Sequence, residues 1–199
     1  MAILDLFFPK KCLECNISGK YICSDCLKKV PPRGWTNRET YSCFKYEGVI
    51  RKAVIAFKYK YSSEIAKELA EACVKNLYAV RFSLSATLVP VPLHWYRKNF
   101  RGFNQSEEVG KLVAKKMGWK FVPDLLIRNK STTPQAQLTG STRRKNLRGA
   151  FALNPVYVLH STYYVLFDDV LTTGSTLLEA SKVLRMGGAK RILCLTIAK

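Results

Sequence analysis

The sequence predicts an α/β protein in which a mostly parallel sheet is flanked by helices, with a small metal-binding module at the N-terminus. From Tyr41 onward, short apolar segments typical of buried strands alternate with segments of helical periodicity. Four of the seven cysteines lie within the first 26 residues. The chain has 199 residues, 48% of them hydrophobic, which is enough for one substantial core.

The early cysteines follow the pattern Cys12-x2-Cys15-x7-Cys23-x2-Cys26. Each Cys-x2-Cys pair can turn back on one ion, so we expect a structural zinc ion with four thiolate ligands and no open position for catalysis. A disulfide pair is the alternative, which a reducing cytoplasm disfavours. Because so short a segment buries little apolar surface by itself, metal binding would supply its folding energy.

A linker and a regular alternation of elements follow the cysteines. Pro31, Pro32 and Gly34 indicate the linker, which divides the chain into a zinc module with its linker, residues 1–34, and an α/β domain, residues 35–199. Strands are predicted at residues 41–46, 86–91, 121–128, 150–153, 163–167 and 191–197. Helices are predicted at residues 49–57, 62–77, 106–117 and 175–186, where apolar side chains share one helix face.

The charge balance is strongly basic. There are 33 Lys and Arg residues against 14 Asp and Glu, a formal net charge of +19. This favours polyanionic partners such as nucleic acid, although a basic surface also serves solubility alone. No apolar run approaches the roughly 18 to 20 residues of a membrane span, and residues 1–8 do not form a secretory signal. We therefore expect a cytoplasmic protein with no membrane span.

An acidic pair and a hydroxyl-rich turn follow the predicted strand at residues 163–167. Asp168 and Asp169 come first, and a Thr-Thr-Gly-Ser-Thr turn then opens a helix. Backbone N–H groups at a helix start favour an anion there, and ligands bind beyond the carboxyl ends of parallel strands. Two carboxylates repel a phosphate, so they require vicinal ribose hydroxyls, directly or through a divalent cation. The pattern predicts a ribose 5-phosphate site; the alternative is an ordinary turn with a helix N-cap.

The segment Val165 to Thr176 resembles the phosphoribosyl-pyrophosphate (PRPP) motif of type I phosphoribosyltransferases. Over nearly its full length the chain also resembles the ComF (ComFC) competence proteins. The segments that carry this second resemblance are Cys12 to Cys26, Val89-Pro90-Val91-Pro92-Leu93, Arg101-Gly102-Phe103-Asn104-Gln105, Gln137-Leu138 and Arg144-x-Asn146-x2-Gly149-Ala150-Phe151. The resemblance implies a phosphoribosyltransferase-like domain behind a four-cysteine zinc module, and a role in handling single-stranded DNA during natural transformation.

The same resemblance implies roles for individual residues. Asp168 and Asp169 would face the ribose hydroxyls, while Leu93 and His94 would contact the diphosphate, which Mg2+ bridges. The 5-phosphate would lie against Leu171, Thr172, Thr173, Gly174, Ser175 and Thr176. If the protein is an enzyme, Arg144, in a polar loop at residues 129–146, would join the acidic pair as a catalytic residue by neutralising the leaving pyrophosphate.

Basic side chains near aromatic rings are candidates for nucleic-acid binding, because the cations bind phosphates while the rings stack on bases. The candidates are Arg97, Lys98, Arg101, Arg143, Arg144, Lys145 and Arg148. The family resemblance further implies a DNA-translocating helicase as a partner. Three functions stay open at this point: a PRPP-binding competence protein, an active phosphoribosyltransferase, and a zinc-stabilised adaptor with a vestigial pocket. The acceptor and the oligomeric state are not specified.

Overall fold

The computed structural model describes residues 10–59, 62–80, 85–93, 99–128, 149–159 and 163–199. Helices in this part of the chain are α1 (Ser24–Lys28), α2 (Gly48–Tyr59), α3 (Ser63–Ala79), α4 (Gln105–Met117) and α5 (Ser175–Met186). Strands are β1 (Pro32–Asn37), β2 (Thr40–Phe44), β3 (Ala86–Pro90), β4 (Lys120–Phe121), β5 (Leu126–Arg128), β6 (Phe151–Leu153), β7 (Tyr163–Val170) and β8 (Arg191–Ala198).

The main sheet has six strands in the order β1-β2-β8-β7-β3-β4. The β1–β2 pair is antiparallel, and every other neighbouring pair in this sheet is parallel. Strands β5 and β6 form a separate antiparallel pair. The predicted α/β class with a mostly parallel sheet is therefore confirmed. Since β7 lies between β3 and β8, its carboxyl end is enclosed by two parallel neighbours.

Each face of the sheet has its own hydrophobic core. On one face, Val165 and Phe167 of β7 pack with residues of α2, α3 and α4 such as Phe57. On the other face, Leu166 packs with residues of α5 such as Leu177. The alternation follows from the two-residue period of a strand and explains why β7 is apolar at consecutive positions. Helices α2 and α4 therefore reach the strand ends from one face, and α5 begins on the other.

Two strands differ from the prediction. The predicted strand at residues 121–128 is instead two strands, β4 and β5, because Pro123 and Asp124 form a turn between them. The last predicted residue of β7 was 167, but β7 continues through Val170. Its extension pairs with β8, where Asp168 is opposite Thr196 and Val170 is opposite Ala198.

Strand β1 occupies the position where a linker was predicted. It is an edge strand and pairs with β2 alone, from Pro32 opposite Phe44 to Asn37 opposite Thr40. Pro and Gly are tolerated on an edge because one side of the strand has no ladder partner. The predicted boundary at residue 34 falls inside β1, and Cys12 and Cys26 belong to the same hydrophobic cluster as α2 and α3. The division into two domains stays a prediction.

No helix in the described ranges is long and apolar enough to cross a membrane.

Candidate functional site

A cavity of about 290 Å3 lies at the carboxyl ends of β3 and β7. It is close to the lower limit of ligand pockets, which hold roughly 300 to 1,000 Å3. Its lining combines carboxylates, cations and hydroxyls from five segments that are distant in sequence. The lining residues are Tyr46, Lys58, Val91, Pro92, Leu93, Arg101, Asn104, Gln105, Ser106, Arg128, Asp168, Asp169, Val170, Thr172 and Thr176.

The first carboxylate of the acidic pair, Asp168, is fixed by hydrogen bonds. Its Oδ1 accepts from the Ser106 hydroxyl at 3.0 Å and from the Asp169 N–H at 2.9 Å. Burial and the adjacent charge of Asp169 raise the pKa of Asp168 to about 7. The two hydrogen bonds and the Lys58 ammonium act in the opposite direction and offset this only in part. The Asp168 carboxyl is therefore poised to exchange a proton near neutral pH.

The second carboxylate, Asp169, forms an ion pair with Lys58. The Lys58 Nζ lies 2.7 Å from Asp169 Oδ2, and only 22% and 17% of the two side chains is exposed. The other oxygen, Oδ1, accepts from the Val170 N–H at 2.6 Å. Because a partly buried ion pair is less screened by solvent than a surface pair, Lys58 helps to hold the Asp169 side chain in position. The acidic pair is thus supported by α4 through Ser106 and by α2 through Lys58.

The hydroxyl-rich turn leads directly into α5. Gly174 precedes the helix with a φ of 75°, a left-handed conformation that glycine adopts without strain. Gly174 provides no side-chain cap for the helix, and the N–H of Ser175, its first residue, donates to the Thr173 hydroxyl at 3.4 Å. The Thr173 and Ser175 hydroxyls lie 2.9 Å apart and hydrogen bond to each other. The turn therefore combines backbone N–H groups and hydroxyls, which together suit an anion.

The turn separates two cavities. Thr172 and Thr176 line the cavity that contains the acidic pair. Leu171, Thr173, Gly174 and Ser175 line a second cavity, of about 640 Å3, against the β1–β2 turn, and Thr172 reaches both. The predicted phosphate-binding residues are therefore contiguous but divided between two sides of one turn.

Several predicted site residues lie outside the described residues: His94, Arg97, Lys98, Arg143, Arg144, Lys145 and Arg148. Of the described predictions, Leu93 and Arg101 line the same cavity as the acidic pair. Arg101 donates from Nη1 to Gln105 Oε1 at 2.9 Å. The roles assigned to all of these residues stay predictions.

Sequence reasoning did not identify Lys58, Ser106 or Gln105 as site residues. Ser106 lies in the first turn of α4, two residues after the Asn104 N-cap, whose side chain accepts a hydrogen bond from the Ser106 N–H. A hydroxyl in the first turn of a predicted helix is the sequence signal that could have identified Ser106. Lys58 carries no such signal, because it is one of two lysines on α2 and its proximity to Asp169 depends on tertiary packing alone.

The four N-terminal cysteines are gathered in space as the spacing predicts. Their Sγ atoms all lie within 4.8 Å of one another, which suits one metal ion. Burial of Cys12 acts to raise its pKa, but N–H groups of Cys15, Cys23 and Glu14 outweigh it and lower the pKa to about 6. Burial and the neighbouring thiols raise the pKa of Cys26 to about 12. The pKa values of these two thiols are thus shifted in opposite directions. A central cation would stabilise all four thiolates at once.

The cysteine segment is attached to the sheet domain by polar contacts with α2 and α3. Glu68 of α3 accepts hydrogen bonds from the N–H groups of Tyr21 and Ile22, at 3.3 and 2.6 Å. Lys10 forms an ion pair with Glu64 of α3, and Glu14 forms one with Lys52 of α2. The cysteine cluster is therefore packed on α2 and α3, and α2 also contributes Lys58 to the cavity at the strand ends.

Fold and site together define an α/β protein with a polar cavity at the carboxyl ends of a mostly parallel sheet. Solved structures similar to it include the glutamine PRPP amidotransferase of B. subtilis, 14% identical with a TM-score of 0.46, where the match covers 72% of this chain and 30% of that one. Another is adenine phosphoribosyltransferase of Leishmania tarentolae, 17% identical with a TM-score of 0.41, covering 83% and 64%. Because both TM-scores are below 0.5, we assign the α/β fold from the strand order of the main sheet and not from these structures.

Sequence relatives are more informative. DNA utilization protein YhgH of Salmonella typhimurium is 33% identical over 94% of this chain and 84% of its own length. Competence protein F of Haemophilus influenzae is 32% identical over 94% of this chain and 95% of its own length. No protein-family model matches the chain. The chain belongs to the family of YhgH and competence protein F, which confirms the ComF resemblance predicted from its motifs.

Proposed function

We propose that this protein binds PRPP in the cavity at the carboxyl ends of β3 and β7, and that it handles single-stranded DNA in natural transformation. The PRPP half of the proposal rests on one observation. The acidic pair and the turn that is expected to bind phosphate are adjacent at the end of one strand. Asp168 and Asp169 provide acceptors for a vicinal diol, and the turn at residues 171–176 provides donors for a phosphate. Ribose 5-phosphate carries both groups.

Two metals complete the proposal. Zinc would be held by Cys12, Cys15, Cys23 and Cys26 in a closed, structural site, which the gathered thiols support. Mg2+ would bind together with PRPP, because in proteins it is usually held by oxygen atoms of substrate phosphates and by water molecules. In this role it would bridge the diphosphate and reduce its negative charge.

Calorimetric titration of PRPP into the zinc-loaded chain, with Mg2+ held constant, tests the first half. A dissociation constant in the micromolar range is expected, and ATP should compete poorly, since its triphosphate is attached to the 5-position and its C1 carries a base instead of a diphosphate. Absence of heat at millimolar PRPP would reject PRPP as the ligand.

The DNA half of the proposal is supported by the charge of +19 and by the names of the relatives, a DNA utilization protein and a competence protein. If binding depends on phosphate contacts, affinity for single-stranded DNA should fall by about 50-fold between 50 and 200 mM salt for roughly four contacts. Fluorescence anisotropy with a labelled oligonucleotide measures this.

The salt dependence has a matched control. Replacing Arg143, Arg144 and Lys145 by alanine should reduce the slope of log affinity against log salt by about 2, at roughly 0.7 per phosphate contact. Replacing three exposed helical lysines, Lys67, Lys111 and Lys115, removes the same charge and should change the slope less. Equal slopes for both triple variants would assign the effect to net charge alone.

A second candidate is catalysis, favoured by the raised pKa of Asp168. In this reaction the bond from C1 of ribose to the diphosphate oxygen breaks, a bond from C1 to an acceptor nitrogen forms, and ionised Asp168 takes the proton that the nitrogen loses. Pyrophosphate release should therefore increase as the pH rises through about 7, because only the ionised carboxyl is a base. A panel of nucleobases and amines tests this, and a flat pH profile would exclude Asp168 as the base.

A further inference from the structure

The second cavity lies on the other side of the turn at residues 171–176, between α5 and the β1–β2 turn. Its volume of about 640 Å3 is within the roughly 300 to 1,000 Å3 of ligand pockets. Residues 171–175 line it, whereas Asp168 and Asp169 line the first cavity, of about 290 Å3. A ribose 5-phosphate group would occupy the first cavity and the turn, so the proposed binding of PRPP leaves the larger cavity unused.

The two cavities meet at Thr172, which lines both of them. A phosphate held by the N–H groups of the turn would therefore lie at the border between the cavities. A phosphate monoester has one carbon substituent, whereas a phosphodiester has two and can place one in each cavity. A nucleic-acid strand has this arrangement, because every phosphate within it has a nucleoside on each side.

The charges around the second cavity suit a nucleotide. Among the side chains that line it, three are cationic, Arg38, Arg185 and Lys199, and one is anionic, Glu39. The Nη2 of Arg185 lies 2.6 Å from both carboxylate oxygens of Glu39, so this pair neutralises the single carboxylate. Arg38 is exposed at the β1–β2 turn. The resulting excess of positive charge favours a ligand that carries phosphate.

Apolar surface and hydroxyl groups complete the lining of the second cavity. Leu178 of α5 is 51% exposed and presents apolar surface that a base could cover. Thr40 and Ser181 are buried and contribute hydroxyls. Apolar surface with a few polar groups is typical of small-molecule sites. The cavity therefore suits a base and its sugar as well as a phosphate.

The acidic pair determines which nucleotide of a strand can enter the first cavity. With its 5′-phosphate at the turn, a sugar in this cavity directs its 3′-hydroxyl towards Asp168 and Asp169. A phosphate on that hydroxyl would meet two carboxylates and be repelled. The nucleotide must therefore have a free 3′-hydroxyl, which only the last nucleotide of a DNA strand has. Deoxyribose offers this one hydroxyl, and Asp169 keeps its ion pair with Lys58 at 2.7 Å.

We propose that the protein recognises the 3′ end of single-stranded DNA, with the last nucleotide in the first cavity and the nucleotide before it in the second cavity. The phosphodiester that joins them would lie against the turn at residues 171–176. This inference rests on the proposed function and deepens it, since it names the part of the DNA that is bound. PRPP and the end of a strand then compete for the first cavity.

Calorimetry on the zinc-loaded chain with the dinucleotide thymidylyl-thymidine tests the inference. The matched ligand is the methyl ester of thymidine 5′-phosphate, which has the same phosphodiester charge but no second nucleoside. The dinucleotide should bind about tenfold more tightly, because its second nucleoside is buried in the second cavity. A phosphate on the 3′-hydroxyl of the dinucleotide should weaken its binding by at least about tenfold. PRPP with Mg2+ should displace the dinucleotide.

Variants of the second cavity separate this site from general effects. The double variant Arg38→Ala/Leu178→Ala should lose most of the preference for the dinucleotide and keep its PRPP affinity within about twofold. Arg33→Ala/Met186→Ala is the control, because it removes the same kinds of side chain from exposed positions of β1 and α5 that line neither cavity. Thermal melts establish that each variant is folded.

The outcomes distinguish this inference from the proposed function. If the native chain does not bind PRPP, the proposed function fails and the strand-end site fails with it. If PRPP binds, but the dinucleotide and the methyl ester bind equally, PRPP binding stands and the strand-end site is rejected. Tolerance of a 3′-phosphate, or failure of PRPP to displace the dinucleotide, rejects it as well. A preference that is lost only in the cavity variant supports the site.

Discussion

Replacing Asp168 and Asp169 together by asparagine is expected to lower PRPP affinity by at least about 100-fold. Each carboxylate would accept a hydrogen bond from a ribose hydroxyl, and hydrogen bonds to charged groups contribute about 1.5 to 3 kcal/mol each. Asparagine also loses the ion pair with Lys58, which holds Asp169 in place. Calorimetric titration of the native chain and the double variant with PRPP measures the change.

Asp124→Asn is the matched control for this experiment. Asp124 is exposed in the turn between β4 and β5 and hydrogen bonds to the Tyr157 hydroxyl at 2.6 Å. The Asp124→Asn variant therefore loses one carboxylate charge outside the cavity, and its PRPP affinity should match that of the native chain. Equal affinities for the native chain and the double variant would overturn the assignment of the acidic pair to the ribose.

Removing the metal from the cysteine cluster is expected to lower the unfolding temperature of the whole chain by more than about 10 °C. Structural zinc sites contribute many kcal/mol of folding free energy, and each kcal/mol shifts the transition of a protein of this size by about 2 to 4 °C. The loss of stability should extend beyond the cysteine segment. Residues of that segment pack in the core shared with α2 and α3, namely Cys12, Ile22, Cys26 and Val30.

Metal content and thermal melts of Cys26→Ser and Cys194→Ser measure this effect. Cys26→Ser should lose its stoichiometric zinc and melt early. Cys194→Ser replaces a buried thiol that contacts Ser181, distant from the cluster, and should keep one zinc per chain. A zinc-free chain with the native unfolding temperature would show that the thiols are not a folding site, and a chain isolated with two disulfides would favour the alternative that the spacing left open.

The parts of the site that could be predicted are those encoded in contiguous residues. The acidic pair lies in the last residues of β7 and the turn from Leu171 to Thr176 follows directly, so residue order alone brings them to the strand end. The cluster of four cysteines could be predicted in the same way, since two short Cys-x2-Cys spacings are enough to bring four thiols together.

The supporting residues could not be predicted because their contacts are tertiary. Lys58 and Asp169 are far apart in sequence, and the ion pair depends on how α2 packs over the sheet. Ser106 reaches Asp168 because α4 approaches β3 and β7 closely at Gly110, where a Cβ atom would lie only 3.0 Å from Leu88. Neither the helix approach nor the register that aligns these side chains is visible in a local pattern.

Strand β1 could not be predicted for a different reason. Pro32 and Gly34 are typical of linkers, and the β1 residues are mostly exposed, so no apolar alternation identifies a strand. The strand forms because Trp35 contacts Tyr41 and the backbone pairs with β2 on one side. An edge strand needs only this one neighbour.

A crystal structure of the chain with PRPP and Mg2+ tests the central claim most directly. We expect the 5-phosphate within hydrogen-bond distance of N–H groups of residues 172–176, and the ribose hydroxyls on Asp168 and Asp169. PRPP bound elsewhere, or in this cavity with its 5-phosphate away from the turn, would contradict it.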